Sequence, residues 1–403
     1  EGSRMNKGWK IALAVLCALV IAAGSCVGAV QYLNGKYAAA LSADADSAVQ
    51  TKTAEVQRII ETYFIDDYDE NTLADGAASG MVEATGDEWS YYLSADEVAD
   101  YEETMANAYV GVGITITVDE EAGGMRVEEV TAGGPAEEAG IRAGDVLLSV
   151  EGQEVLALGM DSTRDLVRGE AGTTVQMHFS RDGEEYDATV ERRSIETPVA
   201  SCELLPGEIG YITIDNFDER CAEETIACID EMVGAGAKAL LFDVRFNPGG
   251  YADELVEVLD YLLPEGDLFR SADYAGREEV DTSDAACIEL PMAVLVNEDS
   301  YSAAEFFAAA LQEYDWATIV GSQTYGKGNF QNAFSLSDGS MINLSIGKYY
   351  TPSGKSLTET GVTPDVVIDL DDTQYALLYY HQLEQAEDPQ FQAAIDTLKQ
   401  KIS

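Results

Sequence analysis

Alternation between apolar strand-like segments and helical segments is the feature that most constrains the fold of this chain. The segment EIGYITI has the pattern of a strand, and the helical segment CAEETIACIDEMVGAG follows it and ends in glycines. AKALLFDVRF and PMAVLVN have the apolar character of buried strands. Strand–helix–strand order of this kind predicts a βαβ-type sheet, and we assign residues 197–370 to this core.

Other patterns precede and follow the core. From residue 109 the segment YVGVGITITV alternates as a strand does, and residues 133–155 place turn glycines around a short helix and two short strands. A small β-rich domain is therefore predicted over residues 105–196, inserted before the core. Residues 31–104 are predicted as a helical region that suits a cap or a dimerisation arm, which leaves a homodimer open. With a helical tail at 371–403, the fold class is mixed α/β.

The first thirty residues have a charge pattern typical of a membrane anchor. Residues 1–10 include Arg4, Lys7 and Lys10, whereas residues 11–30 carry no charge. Twenty apolar residues are enough to cross a bilayer as a transmembrane helix. Because the basic side comes first, the positive-inside rule makes the first ten residues a cytoplasmic tail and places the rest of the chain outside. We expect a single-pass cell-membrane protein; a cleaved signal peptide is the alternative interpretation.

Composition excludes two classes of function. The chain has 74 acidic and 23 basic residues and a formal net charge of −51. So acidic a chain repels nucleic acid, and we expect no nucleic-acid partner. The four cysteines after the apolar run show no C-x-x-C spacing and no nearby histidine, so no metal site and no cofactor are predicted. One disulfide is compatible with the sequence but not required by it.

The stretch VNEDSYSAAEFFAAAL places two serines at the start of an alanine-rich helix. Ser302 and Glu305 have the spacing of a capping box, which taken alone favours a helix cap over a nucleophile. The free N–H groups and the dipole of a helix N-terminus also favour an anion, and so suit a tetrahedral oxyanion. The N–H of Ala303 is one candidate donor. Gly249 or Gly250, in the NPGG segment that directly follows a strand, is the candidate for the second.

A serine nucleophile in this chain needs a base other than histidine. The contexts of His178 and His381 favour surface or structural roles, so a Ser-His-Asp triad is not supported. Lysine is the available alternative if burial lowers its pKa. Lys327 lies between two glycines in VGSQTYGKGNFQ, and in an extended segment it shares one face with Asn329 and Gln331. Gln331 is expected to hydrogen-bond the lysine or the serine; a surface turn lysine is the competing interpretation.

Four segments, in order, resemble the successive blocks of the carboxy-terminal processing peptidases, also called tail-specific proteases: DVRFNPGG, VNEDSYSAAEFFAAAL, VGSQTYGKGNFQ and YYTPSGKSLTETGVTPDVVI. The β-rich domain resembles the PDZ domain of this family through YVGVGITI and GGPAEEAGIRAGDVLLSVEGQEV. The segment LADGAASGMVEATGDEWSYYL resembles the family's N-terminal segment. The resemblance runs from about residue 50 to residue 370.

The resemblance assigns roles to the site residues. It implies that the second serine of SYSAAE, Ser302, is the nucleophile, that Lys327 is the base, and that Gln331 is the partner of the lysine. The chain departs from the family pattern at Tyr301 and Ala304, where the family often has alanine and serine. Neither position carries the reaction, so the departures do not argue against activity.

The resemblance also implies how substrates are selected. A PDZ domain binds a free C-terminus by strand addition, with the carboxylate in backbone N–H groups of a glycine-containing loop. By resemblance that loop is in YVGVGI, with Gly111, Val112, Gly113 and Ile114. Arg168 has two interpretations: a surface charge, or a residue that couples the PDZ domain to the active site as in resembling enzymes.

The combined prediction is a membrane-anchored serine endopeptidase with a Ser-Lys dyad. It would act outside the cytoplasm on proteins and peptides with free C-termini, without a cofactor. Two alternatives stay open: a catalytically silent PDZ scaffold, and a signalling protease that is active only when a partner moves the PDZ domain.

Overall fold

The computed structural model describes residues 48–402, in two compact units that divide after Gly80. The first unit contains helix α1, Ala48–Tyr63, and most of helix α2, Glu70–Glu83. No residue of α1 is buried, and several of its large apolar side chains are exposed. The cap or dimerisation arm stays a prediction, and this exposed apolar surface is compatible with it.

The predicted transmembrane segment and cytoplasmic tail lie outside the described residues. Among the helices that the structure does describe, none combines the length and the apolar character needed to span a bilayer. The membrane anchor is therefore still a prediction from the sequence.

The second unit begins with a departure from the purely helical region predicted before residue 105. Strand β1, Tyr91–Leu93, pairs antiparallel with β18, Met341–Tyr350, and helix α3, Ala95–Met105, follows it. A strand of three residues is too short to show a period in the sequence. It forms because the strand at residues 266–273 pairs only with the last four residues of β18, which leaves Met341–Asn343 open for pairing on that side.

The β-rich domain forms a sheet around a hydrophobic core of its own. Its strands are β2 Ala108–Gly111, β3 Ile114–Asp119, β4 Gly124–Val130, β5 Val146–Val150, β6 Gln153–Glu154, β7 Thr174–Arg181, β8 Glu184–Glu191 and β9 Arg193–Glu196. Its helices are α4 Pro135–Glu138, α5 Val155–Leu158 and α6 Met160–Val167. The sheet order is β3-β4-β5-β7-β8 with β6 on β5, and β2 pairs separately with β9. Alternate residues of β7, such as Val175, Met177 and Phe179, point into this core.

The core after residue 197 contains the predicted βαβ sheet, with the order β10-β11-β12-β15-β16-β19. The strands are β10 Ala200–Leu205, β11 Ile209–Ile214, β12 Ala239–Asp243, β15 Met292–Val296, β16 Ala317–Gly321 and β19 Val366–Val367. All neighbours except β10 and β11 run parallel. The mixed α/β prediction is confirmed, and the carboxyl ends of β12 and β15 lie side by side.

Helices cover both faces of this sheet, which explains the uninterrupted apolar strands. The helices are α7 Cys221–Gly234, α8 Ala252–Leu262, α9 Ala303–Glu313, α10 Asp372–Tyr379 and α11 Pro389–Ile402. Leu240 and Phe242 of β12 pack with residues of α7, α8 and α9, whereas Leu241 packs with α11 on the other face. The four described cysteines after residue 197 are free thiols.

A second sheet packs against helices α8 and α9. Its strands β13 Gly266–Asp273, β14 Glu278–Ser283 and β17 Asn329–Ser335 join β1 and β18 in an antiparallel arrangement. The sequence predicted β18 but not the other members, because β14 and β17 are largely polar or exposed and show no buried face.

A buried ion pair anchors the C-terminal helix to the end of β12. The Arg245 guanidinium donates to Asp388 Oδ2 at 2.6 Å and pairs with Asp243 at 2.6 Å. Asp388 Oδ1 also accepts from the N–H groups of Gln390 and Phe391, at 2.9 Å and 3.1 Å, and so caps the first turn of α11. One carboxylate therefore joins the last helix to the strand that leads into the NPGG loop.

Asp388→Ala should lower the free energy of unfolding of the core by about 3 kcal/mol, because it removes a helix cap and one partner of a buried cation. Urea unfolding followed by tryptophan fluorescence measures this. Asp161→Ala is the matched control, since the Asp161–Arg164 pair is exposed and its loss should cost at most about 1 kcal/mol. Equal losses in the two variants would contradict an anchoring role.

Candidate active site

One cleft of about 490 Å³ in the second unit gathers the predicted catalytic residues. It lies where the NPGG loop after β12 meets the start of α9 and the segment before β17. The predicted residues that line it are Gly249, Gly250, Ser302, Lys327 and Gln331. Ala303, the first residue of α9, is buried beside them. The cleft therefore lies at the carboxyl ends of parallel strands, where open α/β sheets bind ligands.

Ser302 is the N-cap residue of α9 and has a strained backbone, with φ 57° and ψ −125°. A positive φ is unfavourable for a residue with a Cβ atom, so its surroundings must hold it there. The Tyr301 N–H donates to the Asn247 carbonyl at 3.1 Å, and the Ser302 N–H donates to Glu305 Oε2 at 3.1 Å. The second bond belongs to the predicted capping box, so Ser302 caps the helix and also lines the cleft.

Ser300 is a structural residue. Its side chain is fully buried, and it is not among the residues that line the cleft. Its Oγ donates to the Val244 carbonyl at 2.7 Å and accepts from the Asn297 N–H at 3.0 Å. Only Ser302, of the two serines in the SYSAAE segment, faces the space where a substrate can lie.

Lys327 is partly buried in an aromatic environment. Its Nζ lies 4.2 Å from the centroid of the Trp89 ring and 5.8 Å from that of Tyr301. Burial lowers the pKa of Lys327 to about 8, although the negative charges of Asp87 and Glu305 act in the opposite direction. An ordinary lysine has a pKa of about 10.4, so Lys327 gives a far larger neutral fraction near pH 8.

The carboxylate of Glu305 connects the serine to the lysine. Glu305 is fully buried; Oε2 accepts from the N–H groups of Ser302 and Lys327, and Oε1 from the Gly326 N–H and the Thr324 hydroxyl. Burial raises the pKa of Glu305, and these hydrogen bonds oppose that increase. The sequence identified this residue only as a helix cap, because its bonds to the lysine segment join residues far apart in the chain.

The NPGG loop touches the serine so closely that it requires glycine. A Cβ atom on Gly249 would lie 2.6 Å from Ser302 Cβ and 2.8 Å from the Ala303 nitrogen. The Gly249 N–H donates to Asn247 Oδ1 at 2.8 Å, whereas no described group accepts from the N–H of Gly250. The N–H of Ala303 is likewise without an acceptor in the described part of the chain. Gly250 is thus better placed than Gly249 to donate to a ligand.

Gln331 lines the cleft together with Lys327 and Asn329, so the three residues share one face. Its side-chain amide donates to Ser345 Oγ at 3.0 Å and to the Asn329 carbonyl at 3.3 Å. None of the hydrogen bonds described for Gln331 reaches Lys327 or Ser302, so the expected bond to one of those residues is not formed in this structure. The sequence could not foresee this, because Ser345 reaches Gln331 through the pairing of β17 with β18.

The β-rich domain has a separate groove of about 270 Å³. The residues predicted to bind substrate that line it are Gly111, Val112, Gly113, Ile114 and Arg168. No described group accepts from the N–H groups of Val112 and Gly113. Such a pair of free backbone donors suits a carboxylate. The Arg168 guanidinium lies 5.2 Å from the centroid of the Tyr109 ring, at the edge of the same groove.

A hydrogen-bonded seam joins the entry of the β-rich domain to the wall of the cleft. The side-chain amides of Asn107 and Asn216 bond each other at 2.7 Å and 3.2 Å. The Arg220 guanidinium donates to the carbonyls of Ala106 and Asn107, at 2.7 Å and 3.2 Å. Within the loop that joins Asn216 to Arg220, Phe217 pairs with Gly250 of the NPGG loop.

The histidines contribute nothing to the cleft. His178 bonds Asp187 and Glu185, which raises its pKa, and neither His178 nor His381 lines the cleft. Within residues 48–402 no cluster of His, Cys, Asp or Glu has the arrangement of a metal site.

Comparison with known proteins places this geometry in a family. Residues 208–368 match the model of peptidase family S41, and residues 126–181 match a PDZ domain. The carboxy-terminal processing protease CtpA of Bacillus subtilis is 31% identical over 315 residues, which cover 77% of this chain and 67% of the relative. The chain belongs to the carboxy-terminal processing peptidases of family S41. It is accordingly a serine peptidase with a PDZ domain, and the silent-scaffold alternative loses its support.

A further relative agrees with this S41 membership, and a solved structure agrees with the fold. The carboxyl-terminal-processing protease of Synechocystis is 30% identical over 329 residues, covering 80% of this chain and 76% of that protein. The crystal structure of a putative S41 protease from Bacteroides fragilis aligns with a TM-score of 0.51 at 18% identity, covering 84% of this S41 peptidase and 93% of that chain. The latter supports the fold alone.

Glu305→Gln should lower kcat/KM of this S41 peptidase about a hundredfold, the loss expected when a reacting group is displaced by about 1 Å. A glutamine amide cannot accept from all four donors and places its own N–H groups against some of them. Thr324→Ser is the control, because it keeps the hydroxyl that donates to Glu305. Peptide hydrolysis measures both variants; near-normal turnover by Glu305→Gln would show that the carboxylate does not position the site.

Proposed function

We propose that this peptidase cleaves peptide bonds with Ser302 as nucleophile and Lys327 as general base. The observation that carries the proposal is the shared cleft, in which the backbones of both residues are held by one oxygen of Glu305. No histidine reaches the cleft, and Lys327 is the basic side chain beside the serine-bearing helix start.

The reaction follows from these positions. Ser302 Oγ attacks the scissile carbonyl while neutral Lys327 takes its proton. The negative oxygen that forms is stabilised by the N–H of Ala303, at the helix N-terminus, and by the N–H of Gly250. Lys327 then gives the proton to the leaving amine, and an ester joins Ser302 to the acyl half. Water, deprotonated by Lys327, hydrolyses that ester and restores the serine.

The aromatic surroundings of Lys327 suit this cycle of proton transfer. Burial favours the neutral amine, which is the form that accepts the proton. The face of the Trp89 ring stabilises the ammonium that forms transiently, through a cation–π interaction. The pKa of Lys327 is thus close to the working pH, so that both the neutral and the charged forms are accessible, which is the condition under which a general base is most effective.

The substrates we propose are polypeptides with a free C-terminus, bound in the groove of the PDZ domain. The N–H groups of Val112 and Gly113 receive the terminal carboxylate, and the chain pairs along the edge strand that begins at Ile114. Arg168 adds positive charge at the groove, where Tyr109 now holds it.

A peptide-gated enzyme is the second candidate, and the seam at Asn107 favours it. Tyr109, the partner of Arg168, is two residues from Asn107, whose hydrogen bonds lead to the loop paired with Gly250. A carboxylate that draws Arg168 away from Tyr109 would therefore act on the backbone that borders the proposed oxyanion donor.

Ser302→Ala and Lys327→Ala should abolish hydrolysis, and Lys327→Arg should do so although it keeps the charge, because an arginine does not deprotonate near neutral pH. For the wild type, kcat/KM should rise with pH along a limb with its midpoint at a pH of about 8, since the neutral lysine is the active form. Turnover of a tailed peptide and a thermal melt are measured for each variant. Activity in folded Lys327→Arg would remove lysine from the mechanism.

Amidation of the substrate C-terminus should lower kcat/KM about tenfold, because the PDZ loop loses a charge-assisted hydrogen bond. The control peptide keeps the free terminus and loses one negative charge through a single Asp→Asn change outside the last four residues. A rise in KM alone indicates that the PDZ groove only tethers the substrate. A fall in kcat indicates that the bound C-terminus also gates the active site. Equal cleavage of the amidated and free peptides would contradict C-terminal recognition.

A further inference from the structure

Asp218 borders the active-site cleft on the loop that also supports the proposed oxyanion donor. Its neighbour Phe217 donates its N–H to the Gly249 carbonyl at 2.7 Å and accepts from the Tyr251 N–H at 2.7 Å. A Cβ atom on Gly250 would lie 2.6 Å from the Asp218 nitrogen. Asp218 therefore lies one residue from the backbone pairing that fixes the NPGG loop, and it lines the same cleft as Ser302.

The carboxyl group of Asp218 lacks the partners that a buried acid normally has. The residue is only 7% exposed. Among the residues that the structure describes, none forms a hydrogen bond or an ion pair with the carboxylate oxygens of Asp218, a residue that lines the open cleft, whereas the Asp218 N–H donates to Asn216 Oδ1. Burial, together with the charges of Glu254 and Glu219, raises the pKa of Asp218 to about 7. An acid with a raised pKa and no protein partner, in the wall of a cleft, is a candidate for binding a ligand.

The described charges do not supply a counter-ion for Asp218. The acidic groups that act on Lys327 are Asp87 and Glu305, so the lysine is not neutralised by Asp218. The charged groups that act on Asp218 itself are acids, Glu254 and Glu219. The cleft wall around Asp218 thus has an excess of negative potential, which only a group from outside this set can offset.

Aromatic side chains also line the cleft that contains Asp218. Tyr91, Tyr101 and Tyr251 line the same cleft, and negative charge at Asp218 helps to raise the pKa of Tyr91 and Tyr251, which keeps their hydroxyls neutral. Aromatic faces beside a carboxylate favour a cation, through cation–π attraction added to the ion pair. An acidic side chain would be repelled, and a purely apolar one would leave the carboxyl group unpaired.

We propose that Asp218 is a specificity-determining residue, and that it receives a lysine or arginine side chain of the substrate within two residues of the scissile bond. The inference rests on the proposed function, because it assumes that the bond is cut at Ser302. It adds a second level of specificity. The PDZ domain binds the free C-terminus, and Asp218 determines which peptide bond near that terminus is cleaved.

The test uses four pairs of peptides with one common C-terminal tail. Each pair tests one of four positions, which are the two residues before and the two residues after the cleaved bond. The two peptides of a pair differ only at that position, where one has Lys and the other Gln. For the wild type, kcat/KM should favour Lys about tenfold at one of these positions. Asp218→Asn should reduce that ratio to about one by slowing the Lys peptide, while cleavage of the Gln peptide changes less than about twofold.

Glu219→Gln is the matched control, because it removes the same charge one residue along the loop, from an exposed side chain that does not line the cleft. It should leave the preference for Lys intact. A thermal melt shows that Asp218→Asn is folded, and loss of an unpaired buried acid is expected to preserve stability.

The outcomes separate the two proposals. If no position favours Lys, or if the preference survives in folded Asp218→Asn, the specificity role is wrong even when all cleavage still requires Ser302. If the Ser302→Ala variant cuts the same peptides, or the wild type cuts none, the proposed function fails instead.

Discussion

The buried carboxylate of Glu305 is the interaction on which the rest of the site depends. It holds the strained turn at Ser302 and the lysine segment by hydrogen bonds to both backbones. A positive φ at Ser302 costs free energy, and hydrogen bonds to an ionised acceptor are strong enough to offset such a cost. The two segments also touch elsewhere, since the Tyr325 N–H donates to the Ser300 carbonyl at 3.3 Å, but the bonds to Glu305 are the ones that reach the backbones of Ser302 and Lys327 themselves.

The parallel sheet supplies the frame in which this link can form. Strands β12 and β15 are neighbours, so the NPGG loop and the Ser302 turn leave the sheet at the same edge. Burial of both strands on both faces makes that edge rigid, and the Arg245–Asp388 pair fixes the last helix beneath it. Gly249 then lets two backbones touch, which places the loop donor and the helix N-terminus on one side of the cleft.

The sheet and the β-rich domain were predictable from the sequence, because apolar strands and local glycine patterns are visible in short windows. The Ser302–Lys327 assignment came from the resemblance to the peptidase family, since the residues alone favoured a helix cap and left a surface lysine open. The sequence did not predict Trp89 as the neighbour of Lys327, although WSYYL was noted as part of the family resemblance. Nor did it identify Asp218, whose carboxylate has no partner among the residues that the structure describes, a property that no local sequence pattern reveals. Gln331 bonds Ser345 instead of the expected groups because strand register, set by β18, decides its neighbours.

The hydrogen-bonded seam at Asn107 limits how the PDZ domain of such an enzyme can be exchanged for that of another protein. A PDZ domain has its own core, so a graft of this domain alone would be expected to fold. Yet hydrogen bonds cross the boundary between the PDZ domain and the protease core, where Asn107 bonds Asn216 and Arg220. A domain from another protein would not form these contacts. The exchangeable piece is therefore the domain together with its entry segment and the matching loop of the core. Domain shuffling at the sequence boundary would give a folded chimera that lacks the hydrogen bonds between the domain's entry segment and the loop beside the cleft.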